Sequence, residues 1–110
     1  MTSQRNQLVR NGYLAIFGNN PPHENDQRQV AACLRDLNYY IAPIIESCRQ
    51  GSVEPLDQII PGIKEMNNSL GYPNSWFVTF YESIKQNHGL TGESANVVNS
   101  YLDYAINSFS

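Results

Sequence analysis

The sequence predicts an all-α fold. Three observations lead there: apolar residues recur at three- and four-residue intervals along nearly the whole chain, no stretch alternates apolar and polar residues between hairpin turns, and Gly or Pro stands at most boundaries of the helical stretches. With 110 residues, 41% hydrophobic and only 15% charged, the chain has a globular composition and a thinly charged surface. That length suits one domain, residues 1–110, around a single core.

The first helix is expected over residues 3–17, with Leu8, Val9, Tyr13, Ile16 and Phe17 on one side and Gly18 placed to end it. "GNNPPHEN" follows as a loop by composition. A second helix is expected over residues 26–49, with a buried stripe running from Val30 through Cys33, Leu37, Tyr40 and Ile44 to Cys48. Pro43 falls inside it. A mid-helix proline removes a donor and costs about 3 kcal/mol, so a kink or a junction of two helices is expected there. Ser52 can cap a short helix over "VEPLDQII", and Pro61 can open another through "GIKEMNNSL" until Gly71 stops it. In "PNSWFVTFYESIKQNHG", Trp76, Phe77, Phe80, Tyr81 and Ile84 form one aromatic-rich face ahead of Gly89. This face reads as core or interface. The last helix, in "TGESANVVNSYLDYAINSFS", repeats the pattern with Val97, Val98, Tyr101, Leu102, Ala105, Ile106 and Phe109.

Composition also removes several function classes. Seven Lys and Arg against ten Asp and Glu give a net charge of −3, and no basic run could hold a nucleic-acid backbone. No apolar run approaches the ~20 residues needed to cross a bilayer, and the polar N-terminus is unlike a signal peptide. The expected location is therefore the cytoplasm. Cys33 and Cys48 are too far apart for a zinc pair or a dithiol motif, and a disulfide is not expected there. His23 has only Glu24 near it as a metal partner, and reads as a loop residue. Neither His23 nor His88 is an evident base for a cysteine nucleophile, and no phosphate-binding glycine loop is present. No catalytic site and no metal site are expected.

What remains is "VAACLRDLNYYI", residues 30–41. Cys33 and Asp36 are three apart, hence neighbours on one helical face, and Tyr40 continues that face. Arg28 and Arg35 flank the row. The set offers a thiol for covalent attachment, a carboxylate that accepts from N–H donors, and guanidinium groups that suit carboxylates. It would fit a flat, nitrogen-rich, acid-bearing ligand. By spacing alone, a structural cysteine beside a surface ion pair is the commoner explanation.

The wording of the chain adds to its spacing. "RQVAACLRDLNYYI" closely resembles the bilin-attachment helix of phycobiliproteins, the allophycocyanin group in particular. "GIKEMNNSLGYP" and the terminal "YLDYAINSFS" resemble two further segments of that family, in the same order. The resemblance covers the chain from Gln4 onward. It implies a globin-like α-helical fold and a linear tetrapyrrole, phycocyanobilin first among the candidates, bound covalently through Cys33. Asp36 would accept from the central pyrrole nitrogens, Arg35 would pair with a propionate and Arg28 likewise, and Tyr39 or Tyr40 would line the pocket. A light-absorbing pigment carrier of the phycobilisome type is implied, loaded by a bilin lyase and placed at the thylakoid surface of a cyanobacterium. A chromophore-free interaction protein acting in phycobilisome assembly, turnover or regulation is the alternative.

There are departures from the family pattern. The chain begins where the family's middle begins, so the fold is expected to be truncated at the N-terminus, uncovering apolar surface. Self-association or another phycobiliprotein-like subunit is the expected partner. The attachment helix continues as "APIIESC", "RQGSVEP" replaces an Ala-Gly-Asp turn, and Asn67 stands where relatives commonly carry an aromatic. Cys48 reads as core filling rather than a second attachment point.

Overall fold

The structure, a computed structural model, describes residues 4–17 and 27–110, with the side chains of residues 27–30 and 32 set aside. The described residues form five helices in chain order: α1 (Arg5–Phe17), α2 (Gln27–Gln50), α3 (Glu54–Leu70), α4 (Ser75–Asn87) and α5 (Gly92–Phe109). The all-helical expectation holds, in keeping with a globin-like arrangement. Gly18, His23 and Glu24 lie outside the described residues.

Each helix turns one apolar stripe inward. Helix α1 contributes Leu8, Val9 and Tyr13 and packs on α4, while α4 packs in turn on α5. Helix α2 touches α1, α3 and α5, and supplies Leu37, Ile41 and Ile44 to the core. The centre is aromatic. Phe77 stacks on Phe109 at 5.0 Å between ring centroids and meets Tyr40 edge-on at 4.9 Å. Tyr81, wholly buried, donates its hydroxyl to the backbone carbonyl of Tyr40 at 3.0 Å. On α5, Val98, Leu102, Ala105 and Phe109 are buried as the pattern requires, but Val97 is exposed.

Two of the expected helix boundaries are absent. Helix α2 runs unbroken through Pro43, and α3 is one helix through Pro61 rather than two short ones. Each proline forfeits one helical hydrogen bond. Ile41 and Ile44 flank Pro43 and are fully buried, and Ile60 and Ile63 flank Pro61 and are buried too. Burying side chains of this size gains about 1.5–3 kcal/mol apiece, so packing outweighs the proline penalty on each helix. Ser52 does cap α3, from one place further out than expected: its hydroxyl accepts the Glu54 amide at 3.1 Å, while Val53 stands at the N-cap. The C-terminal stops are as read. Gly71 has φ 72° and Gly89 has φ 68°, both in the left-handed region that glycine enters without strain.

His88 occupies the C-cap of α4 and is buried. Its Nδ1 accepts the Leu90 amide at 2.9 Å and its Nε2 pairs with the Asn99 side-chain oxygen at 2.8 Å. Because Nδ1 accepts, Nε2 is the nitrogen that donates to the Asn99 oxygen. The ring ties α4 to α5 and has no nitrogen to spare for proton transfer.

Helices α1 and α4 pack tightly at Gly12, where an added Cβ would overlap the Phe80 ring. Phe80 is fully buried and cannot swing aside. Gly12→Ala is therefore expected to destabilise the fold by about 1–3 kcal/mol, as overpacking does. Urea titration followed by circular dichroism checks this, and a midpoint equal to or above that of the parent chain would contradict it.

Candidate functional site

Helix α2 places Cys33, Asp36 and Tyr40 in one row at successive turns. Its inner stripe is anchored in the core, so this row lies at the margin between core and solvent. Cys33 is half-buried and packs against the core, whereas Asp36 is open, with 59% of its side chain exposed. Arg35 sits beside it, 78% exposed, its Nε 3.7 Å from Asp36 Oδ1. An exposed pair at that distance is worth at most about 1 kcal/mol. The carboxylate thus keeps most of its accepting capacity. Tyr39 points outward, 64% exposed, with its ring 5.8 Å from that of Tyr40. Of the two tyrosines, Tyr40 is the one in the row. The side chain of Arg28 lies outside the described residues, although its backbone belongs to α2.

The Tyr40 end of the row meets α3 at a residue that the sequence did not single out. The Tyr40 hydroxyl donates to the Met66 sulfur at 3.9 Å. Tyr72, in the link between α3 and α4, leans on Trp76 at 5.3 Å, and Trp76 meets Phe17 of α1 at 5.3 Å. Trp76 is half-buried, so it is a core residue with one edge toward the surface.

Burial and neighbouring groups together raise the pKa values of Cys33 and Tyr40 in the row. The Tyr40 hydroxyl is pushed up, first by burial and then by Asp36, Tyr39, Cys33 and Tyr72 in that order. Burial likewise pushes the Cys33 thiol up, and the negative charge of Asp36 adds to it. Cys48, further along α2 and half-buried, is raised by burial alone. Both thiols are therefore protonated at neutral pH. A thiol is reactive as thiolate, so Cys33 is chemically quiet until a partner is brought to it.

Elsewhere the surface offers less. An open groove of about 480 Å³ between α1 and α4 is lined by Asn11, Leu14, Ala15, Thr79, Glu82 and Ser83, without a cysteine, a histidine or a charge pair. Among the described residues no group of three His, Cys, Asp or Glu could hold a metal ion, and no helix is long and apolar enough to cross a membrane. What the Cys33 region can do is accept a covalent adduct at sulfur, receive N–H donors at a carboxylate, and stack a flat group against aromatic edges.

The chain is similar to known proteins. A family model described as phycobilisome protein matches residues 1–109. The phycoerythrocyanin alpha chain of Nostoc sp. is 37% identical over 91 residues, covering 82% of this chain and 56% of that protein. The allophycocyanin alpha chain of Cyanidium caldarium is 35% identical over 115 aligned positions, 96% of this chain and 71% of that protein. Allophycocyanin alpha chain 1 of Microchaete diplosiphon is 32% identical across the whole chain and 74% of its own length. The chain thus spans between about half and three-quarters of these relatives, and its likeness extends beyond the allophycocyanins.

The raised thiols give a direct expectation. Labelling of Cys33 and Cys48 by iodoacetamide in the pigment-free protein should be slow at neutral pH and climb through the alkaline range, with midpoints above that of free cysteine. Peptide-resolved mass spectrometry reads each site. Rapid labelling of Cys33 at neutral pH would mean that a base not evident in this geometry activates it.

Proposed function

The chain belongs to the phycobilisome protein family, and from that premise we propose that it is a bilin-binding, light-absorbing protein carrying an open-chain tetrapyrrole as a thioether on Cys33. The observation that carries the proposal is the pairing, on one face of α2, of a half-buried thiol with an open, weakly paired carboxylate, alongside the aromatic edge of Tyr40. Such a protein carries pigment and is not an enzyme.

The residues fit that ligand chemically. Cys33 would hold the A-ring substituent, with its sulfur shielded from competing reagents by half-burial and by its protonated resting state. Asp36 would receive the pyrrole N–H groups, an arrangement in which a charge-assisted contact is stronger than a neutral one. Arg35 is free enough to pair with a propionate, and Arg28 is assigned the same role from its place in the motif. Tyr40 would line the inner side and Tyr39 the outer rim. Bound there, the tetrapyrrole supplies visible absorption, phycocyanobilin being the bilin proposed. The protein's contribution is rigidity, because an unrestrained open-chain pigment loses its excitation by twisting. Partners are proposed to be other phycobiliprotein subunits at the thylakoid surface, for which exposed Tyr39, Leu70, Tyr72 and Val97 supply apolar area.

Co-expression with phycocyanobilin synthesis tests the proposal. The chain should give a zinc-enhanced fluorescent band on a denaturing gel, lost in Cys33→Ala and kept in Cys48→Ala. Colour lost on denaturation would show noncovalent binding instead, and a band surviving in Cys33→Ala would overturn the assignment of the sulfur. In the loaded protein, Asp36→Asn should shift the absorption to the blue and broaden it. An unchanged spectrum would remove Asp36 from the site.

A further inference from the structure

The core-facing row of α3 runs Leu56, Ile60, Ile63 and then, against the apolar pattern, Asn67, which is 1% exposed. A buried carboxamide needs partners for both its ends. Its Nδ2 donates to the Asn74 side-chain oxygen at 3.0 Å, but its Oδ1 has no partner among the described residues. A buried acceptor left so costs about 1–3 kcal/mol. A leucine of similar size would fill the place without that cost, so stability does not account for the amide.

What Asn67 holds is the corner between α3 and α4. Its backbone carbonyl accepts the Gly71 amide and, at 2.9 Å, the Tyr72 amide, while its side chain reaches Asn74 on the far side of the same corner. Asn74 stands at the N-cap of α4, where an asparagine side chain ordinarily accepts from the first helical amides. It makes no such cap, its oxygen being engaged by Asn67 instead. Between these two attachments Gly71 supplies the left-handed turn, at φ 72°, and Pro73 fixes its own φ. Tyr72 is thereby restrained on both sides, its ring 5.3 Å from Trp76.

We propose that Asn67 is a positioning residue: by closing the α3–α4 corner, one residue on from the Met66 that meets Tyr40, it sets the Tyr72 ring against Trp76, and so fixes the aromatic wall against which a tetrapyrrole on Cys33 would lie. The proposal rests on the bilin-binding reading above. Its consequence is spectral. A loose wall admits a spread of pigment conformations, which widens the absorption band and lowers emission.

The test uses the full chain loaded with phycocyanobilin. Asn67→Leu and Asn74→Ala should keep the pigment on Cys33 and unfold within a few degrees of the parent, yet broaden the absorption band and lower fluorescence yield at least about twofold. Asn74→Asp, which retains an acceptor for Asn67, should restore the parent spectrum. Tyr72→Ala should already show the broad band, with Asn67→Leu adding nothing to it. A loaded Asn67→Leu spectrum superimposable on the parent overturns the proposal, as does further broadening in the Tyr72→Ala background. A parent chain that takes no pigment defeats the bilin-binding reading and the spectral role with it. The corner is then judged separately on Trp76, the single tryptophan of the chain. Its emission in the pigment-free Asn67→Leu chain shifts if Tyr72 has moved, and an unchanged emission shows that Asn67 holds no corner.

Discussion

Pro43 leaves the carbonyl of Tyr39 without its helical donor, and at the next carbonyl, that of Tyr40, the buried hydroxyl of Tyr81 makes a hydrogen bond of 3.0 Å from α4. The contact satisfies two needs together. A wholly buried tyrosine hydroxyl requires a partner, and a helix crowded at a proline gains a fixed point at its weakest turn. Burial pushes the Tyr81 hydroxyl up well beyond the ordinary tyrosine range, so it stays a donor. Because α2 remains one helix of 24 residues, its inner stripe and its marginal row keep a constant phase from Cys33 to Cys48. A break at Pro43 would detach the row from the core that orients it.

The site follows from that phase. Residues fully inside the core, such as Ile41 and Ile44, do the packing, and the row about 100° round the helix is left half in and half out. Cys33 and Tyr40 are shielded enough for their ionisation to be suppressed, while Asp36 and Arg35 stay hydrated and weakly coupled. The arrangement suits a ligand with an apolar flat body and polar edges. Around it the aromatic contacts run continuously from Tyr13 through Phe17 and Trp76 to Tyr72, so the wall of the site is an extension of the core.

Helical spacing made the Cys33–Asp36–Tyr40 row legible from the residues, since i, i+3 and i+7 fall together on any α-helix. Both glycine stops were equally plain. Pro61 misled, and at Pro43 no junction of two helices forms, because a local penalty of about 3 kcal/mol is visible in sequence whereas the burial of Ile41, Ile44, Ile60 and Ile63 that outweighs it is a property of the assembled core. Tyr72 and Met66 were missed as parts of the site for a related reason. They reach α2 only through the packing of α3 and the corner at residues 71–74, and nothing in their spacing relates them to Cys33. The one available hint was Asn67 itself, a polar residue in register with Leu56, Ile60 and Ile63. Tyr39 and Tyr40 could not be ranked by sequence. Packing ranks them, by setting one against Phe77 and leaving the other in solvent.

The central claim is that one cysteine on α2, and not the other, tethers a pigment. Trypsin cleaves after Arg28, Arg35 and Arg49, and so separates residues 29–35, which contain Cys33, from residues 36–49, which contain Cys48. Mass spectrometry of those two peptides, from protein purified out of its natural source, should find the mass of a linear tetrapyrrole on the first and a bare thiol on the second. An unmodified peptide 29–35 in natural protein, or pigment on 36–49, would contradict the account.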